Sequence, residues 1–280
     1  MKKHQLVFFM GLLGLLFCLT ALAQEDFDEA GQDALIIYTV QGDDLLNPVE
    51  NWEAATDEEL EDILLDQGYH EVLWQDFAGL IPLEYRRSIT RLAIFTDGEE
   101  EILASVTPNG ENYDTWTLAL DALDGTYFGE ELVQTMIHEF GHTIFLMPSQ
   151  VPRSLEVLQN EEDEAIYEEA VAACPTYFTG EGCSTQDSYV NAFFGQFWLE
   201  FYDELESLDE GELYEAYPDQ FVNDYAATNP DEDMAESWTF FILKDKPEPD
   251  TIAHQKILFF YQYPELTDLR DQIRERLPDF

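Results

Sequence analysis

A chain of 280 residues holds one large domain or two small ones with a substantial core, and 45% hydrophobic with 14% aromatic content excludes a disordered tail protein. Against 60 acidic residues stand 12 lysines and arginines, and the formal charge of −48 repels nucleic acid and anionic membranes. The acids are spread along the chain, which reads as a solvated acidic surface, with attraction of basic substrates as the alternative.

The first 23 residues stand apart. Lys2 and Lys3 precede an uncharged apolar run from Leu6 to Leu22, and Ala21-Leu22-Ala23 supplies the small residues of a cleavage site. This pattern predicts an export signal over 1–23 and a secreted protein, extracellular or periplasmic, free of the membrane once cleaved. An uncut anchor is the alternative, because the run approaches the lower length of a span. Phe17 argues against a lipid on Cys18, since a small residue belongs there. Cys18 leaves with the signal, so Cys174 and Cys183 are expected to pair in an oxidising compartment. Closing so short a loop stabilises by about 2–3 kcal/mol in the chain-entropy model.

After a loose acidic start at 24–34, the β-branched run at 35–40 predicts a strand. Residues 57–66 carry helical periodicity, with Thr56 as N-cap and Glu59 completing a capping box. Segments 91–95, 101–106 and 113–120 read as strands separated by Asp97-Gly98 and Asn109-Gly110 turns. A helix over 129–145 ends near Pro148, and the chain then turns mostly helical. In 189–205, Val190, Phe193, Phe194, Phe197, Trp198, Phe201 and Tyr202 form a stripe expected to be core. Helices at 231–243, 251–261 and 265–277 finish the chain. The class is α+β: one domain over 24–280, a small and mostly antiparallel sheet in the lobe 24–147, helices in the lobe 148–280.

The chemistry sits on the 129–145 helix. His138-Glu139-Phe140-Gly141-His142 is an H-E-x-x-H pattern, and residues four apart share a helical face, so both imidazoles can converge on one cation. Zinc takes two histidines and a carboxylate while keeping a position open for water, which the Glu139 carboxylate can reach as general base. Gly141, between the two histidines, permits close backbone approach. A third ligand must come from elsewhere. Phe145 and Pro148 stand where a metzincin needs glycine and histidine, which excludes that class and leaves a glutamate on a second helix, the gluzincin arrangement. Glu232 and Glu236 fit best: they share a face, so one can bind metal while the other orients a ligand histidine. Asp233 is a competing ligand, about 100° round the helix from Glu232. His254 is a second candidate for hydrogen-bonding an oxyanion, although packing roles are expected for it and for His70.

The stretch Tyr225-Ala226-Ala227-Thr228-Asn229-Pro230-Asp231-Glu232-Asp233-Met234-Ala235-Glu236 resembles the third-ligand segment of the anthrax lethal factor catalytic domain and the related clostridial Pro-Pro endopeptidases. The resemblance covers these dozen residues and the His138–His142 helix. It implies a zincin-like fold with Glu232 as zinc ligand, Glu236 supporting a metal-binding histidine and Tyr225 stabilising the oxyanion.

The leading expectation is therefore a secreted, monomeric zinc endopeptidase acting on peptide or protein substrates, with one Zn2+ held by His138, His142 and Glu232. An extended peptide is expected to align along 113–120 as an edge strand, by analogy of fold. One rival is a secreted binding or structural module with a closed, non-catalytic zinc site. Another is an acidic calcium-binding or adhesion protein. Calcium is conceivable around Glu161-Glu162-Asp163-Glu164, but no EF-hand spacing supports it.

Overall fold

The computed structural model describes residues 34–98, 102–123, 129–160, 163–200, 202 and 212–277. The export segment, nearly all of the acidic start, Glu161, Glu162 and much of 201–205 lie outside them. Five strands, β1 (Ile36–Gln41), β2 (Asp44–Glu50), β3 (Ile89–Phe95), β4 (Ala104–Asn109) and β5 (Thr115–Asp121), form one sheet in the order β2-β1-β3-β5-β4. The β3–β5 ladder is parallel and the other three are antiparallel. These α-helices accompany them among the described residues, beside two short 3-10 turns: α1 (Glu58–Leu65), α2 (Gln67–Leu80), α3 (Gly129–Phe145), α4 (Leu155–Leu158), α5 (Glu164–Ala173), α6 (Tyr189–Phe197), α7 (Glu212–Ala216), α8 (Pro230–Leu243), α9 (Ile252–Phe260) and α10 (Pro264–Arg274). The α+β class is thus as the sequence reads.

The strands alternate as their period of two demands. Ile36 and Tyr38, Leu92 and Ile94, and Leu118 and Leu120 enter the large core, whereas Ile37, Ala93 and Ala119 form a small cluster of their own. The large core continues through Phe77 of α2, Phe140 of α3, Phe193 of α6, Trp238 of α8, Phe260 of α9 and Ile273 of α10. In the aromatic stripe Val190, Phe193, Phe197 and Trp198 are buried and Phe194 is half-buried, so it is core as expected.

Two local readings are corrected. The strand at 113–120 is not an edge: β5 lies between β3 and β4, and β4 is the edge. The cap of α1 is Asp57, whose extended backbone lets its carboxylate accept from the Glu59 and Leu60 amides, in place of Thr56. Of the acidic run at 161–164, Asp163 caps α5, accepting from Ala165 N, and Glu161 and Glu162 lie outside the described residues.

Cys174 and Cys183 form a disulfide with Cα atoms 5.5 Å apart. Among the described residues no helix is long and apolar enough to cross a membrane.

His70 is packing, fully buried in α2. Its Nε2 lies 2.8 Å from Ile63 O, an acceptor, so Nε2 carries the proton and Nδ1 accepts from the Tyr38 hydroxyl at 2.8 Å. Burial holds its pKa below the ordinary 6.5, against the opposing pull of the Ile63 carbonyl and Asp66. Below about pH 6.5 the unfolded chain binds a proton that folded His70 does not, so this site loses up to about 1.4 kcal/mol per pH unit until its folded pKa is reached. Glutamine at 70 reproduces one donor and one acceptor without titrating. The stability advantage of wild type over His70→Gln should therefore shrink between pH 7 and 5.5 in urea unfolding; a constant difference would mean that the histidine is not buried neutral.

Candidate metal centre

The α3 helix buries Met136, Ile137 and Phe140 and rests on β4 and α8. That packing carries the motif side chains inward, with His138, Glu139 and His142 only 5%, 9% and 9% exposed. The α8 helix begins on Asn229, which accepts from the Asp231 and Glu232 amides at 2.9 Å, and Pro230 presets its first turn. The start of α8 is fixed in this way, and Glu232 faces α3.

Three atoms converge. His138 Nε2 lies 3.0 Å from Glu232 Oε2 and 3.0 Å from His142 Nε2, and His142 Nε2 lies 3.3 Å from Glu232 Oε2. Among the described residues these three side chains form the only such group of potential metal ligands. Tetrahedral ligands 2.0–2.2 Å from zinc stand about 3.3–3.6 Å apart, close to this spacing. On the far side of the ring, His138 Nδ1 donates to Glu236 Oε1 at 2.6 Å, and Asn223 Nδ2 donates to Glu236 Oε2 at 2.6 Å. With its proton on Nδ1, neutral His138 turns a lone pair toward a second imidazole nitrogen and a carboxylate oxygen. Three lone pairs so close call for a positive charge among them, which a proton on His138 supplies without metal and which a divalent cation with nitrogen and oxygen preference would also fit.

The protonation behaviour expresses the same demand. Burial alone would depress His138, but the hydrogen bonds to Glu232 and Glu236 outweigh it and lift its pKa to about 10. His142 is raised too, Glu232 overcoming the effect of burial. Burial pushes Glu232 up, and the two histidines more than reverse this, holding it well below the ordinary carboxylate range.

Glu139 stands just outside this group, its Oε1 4.0 Å from His138 Nε2. Its pKa is raised, chiefly by burial, and it accepts a hydrogen bond from the Val106 amide of β4. Tyr225 sits in a single turn, Tyr225–Ala227, before α8, with its ring centroid 5.7 Å from that of His138 and the residue 52% exposed. Burial of its hydroxyl and the carboxylates of Glu232, Glu139 and Glu236 raise its pKa, so it stays a protonated donor. Asn223 serves twice, accepting from Ala226 N at 2.9 Å while holding Glu236, which ties the Tyr225 turn to the His138 support.

Asp233 and His254 fall outside the group. Asp233 is fully buried on another face of α8, against Lys256 and Trp198. His254 lies in the first turn of α9, its amide capped by Thr251 and its ring Nδ1 buried without a hydrogen bond among the described residues. Sequence reasoning passed over Asn223, Lys256 and the Tyr177–Asp231 hydrogen bond of 3.3 Å. Only Asn223 left a local signal, as an amide two positions before Tyr225.

Gly141 shows why the two helices meet so closely: a Cβ there would lie 2.8 Å from Trp238 Cδ1, and Trp238 is fully buried. Alanine would gain about 1 kcal/mol of helix propensity but overpack the α3–α8 contact at a cost of about 1–3 kcal/mol. Gly141→Ala should therefore lower the unfolding midpoint and weaken metal binding together. A midpoint raised by the propensity gain, with unchanged metal affinity, would refute this packing role.

No family model and no curated protein matches this chain. Among solved structures, a candidate zinc-binding metallo-peptidase from Bacteroides caccae aligns over 93% of this chain and 94% of its own, at 17% identity and a TM-score of 0.30. So low a score carries no argument about activity.

Proposed function

We propose that this protein is an exported zinc endopeptidase, with His138, His142 and Glu232 as ligands, Glu139 as general base and Tyr225 as oxyanion donor. The observation that carries the reading is the convergence of three ligand atoms beside a buried carboxylate that is not one of them. Three protein ligands leave room for water and substrate, whereas a structural site closes with four. This favours catalysis over the clamp alternative, because Asp233 is spent on Lys256. Export rests on the segment 1–23 and is supported by the disulfide.

Zinc held there would supply the acidity that makes water a nucleophile at neutral pH and would polarise the scissile carbonyl. The Glu139 carboxylate takes a proton from the attacking water and passes it to the leaving amine as the C–N bond breaks. The Tyr225 hydroxyl donates to the oxygen on which charge develops. Glu236, held by Asn223, keeps the proton on His138 Nδ1 and so keeps Nε2 aimed at the centre.

The edge strand gives the substrate its track. Trp116 N bonds Ser88 O and Asp121 N bonds Leu103 O, so alternate residues Leu103, Ser105, Thr107 and Asn109 face β5. Ala104, Val106 and Pro108 therefore face outward. Pro108 lacks an N–H at just this side, where β5 needs none. With Pro108 lacking an N–H and the Val106 amide bonded to Glu139, the Ala104 N–H and the outward carbonyls are what an extended peptide would pair with as it passes beside Glu139.

The test is hydrolysis of an unfolded protein such as denatured casein in 18O-labelled water. New carboxyl termini carrying the label, formed only without a zinc chelator, are expected; unlabelled or chelator-indifferent cleavage, or none with zinc present, would reject the reading.

A further inference from the structure

The fully buried charge pair behind the metal centre has no part in the chemistry above. Asp233 Oδ2 lies 2.5 Å from Lys256 Nζ of α9 and accepts from Trp198 Nε1, just past α6, at 2.7 Å; Ser237 Oγ is 3.4 Å from Oδ1. Both charged residues are 0% exposed, and the ammonium also sits 4.1 Å from the Phe221 ring centroid. With 12 cationic side chains for 60 acids, burying one entirely does nothing for the surface charge.

We propose that Asp233 is a positioning residue: its carboxylate, held by Lys256 and Trp198, fixes the rotation of α8 about its own axis and so places Glu232 and Glu236 for the metal. The inference rests on the zinc reading above. Asn229 fixes where α8 starts, and the apolar contacts of Met234, Trp238 and Phe241 fix its distance from the core. Apolar contact is non-directional, so even the close Trp238–Gly141 contact limits rotation without setting it to the tolerance that a ligand atom needs. A carboxylate about 6 Å from a helix axis moves about 1 Å for a 10° rotation, whereas ligand distances must hold within about 0.2 Å. Asp233 follows Glu232 in sequence and projects about 100° round the helix, where an ion pair with Lys256 and a hydrogen bond from Trp198, on separate elements, oppose rotation. Stability gives little reason for the pair, because replacing a buried ion pair by apolar groups of like size is often neutral or stabilising. Direction is what it contributes.

The test separates folding from placement. The double variant Asp233→Leu/Lys256→Met removes both charges at similar volume, and Asp233→Asn keeps the shape while losing the ion pair. Thermal unfolding of the metal-free proteins is measured beside zinc affinity in competition with a chromophoric chelator. The double variant should unfold near or above the wild-type temperature yet bind zinc about 10–100-fold more weakly, the range for partners outside the ligand shell. Asp233→Asn should weaken binding about 10-fold. If the double variant does not fold, Asp233→Asn decides. Wild-type zinc affinity in a folded variant overturns the positioning role, while failure of the wild-type protein itself to bind zinc rejects the underlying reading instead.

Discussion

Glu139→Gln is expected to lower the rate of peptide hydrolysis by about 10²–10⁴-fold with zinc content unchanged. Glutamine preserves the volume and can still accept from the Val106 amide, but it cannot take a proton. Metal should stay, since Glu139 is not among the three converging ligands. Its environment suits a base: burial raises its affinity for a proton, while the nearby histidines oppose that rise and keep the ionised form accessible. Active-site titration with zinc analysis on the same preparation checks the outcome. Retained cleavage would remove Glu139 from the mechanism; loss of zinc would make it a ligand or a support.

The second large effect is on the metal itself. Glu232 contributes the only carboxylate among the three converging atoms, and the two histidines keep it ionised far below its usual range. Glu232→Ala leaves two imidazole nitrogens 3.0 Å apart with no counter-charge between them. Zinc affinity should fall by more than about 100-fold, beyond what loss of an outer partner costs. Competition with a chelator of known affinity measures this directly, and a variant that binds like wild type would disqualify Glu232 as the third ligand.

The site was legible where the chemistry is local. The spacing of His138 and His142 follows from one helical turn, and Asn229-Pro230 ahead of Glu232 marks a helix start that puts Glu232 and Glu236 on one face. The glycine between the histidines reads correctly as a close approach, though its neighbour is the Trp238 ring rather than backbone. The strand β2 escaped notice because Asp44, Pro48 and a left-handed Asn47 break its pattern, features that an edge strand tolerates. The helix α2 was missed although Leu73, Trp74, Phe77 and Leu80 have helical spacing, its signal interrupted by Gly68, Gly79 and the buried His70.

Strand order is the deeper case. Nothing in the local sequence of β5 says that β4 pairs outside it, so local patterning places the sheet edge one strand too far in. The polar partners are long-range as well: Tyr177 with Asp231, Asn223 with Glu236 and Lys256 with Asp233 join separate elements, and no local periodicity encodes them. Spacing names the candidate ligands; tertiary packing supplies what holds them.

The most direct test is a chelator titration of the purified protein in which bound zinc, by elemental analysis, and casein cleavage are followed in parallel. The expected result is about one zinc per chain, activity falling in proportion to the zinc removed, and recovery of both when zinc is returned. Cleavage that persists after the zinc has gone, or a protein that binds no zinc when it is supplied, would contradict the assignment of this site as a zinc peptidase centre.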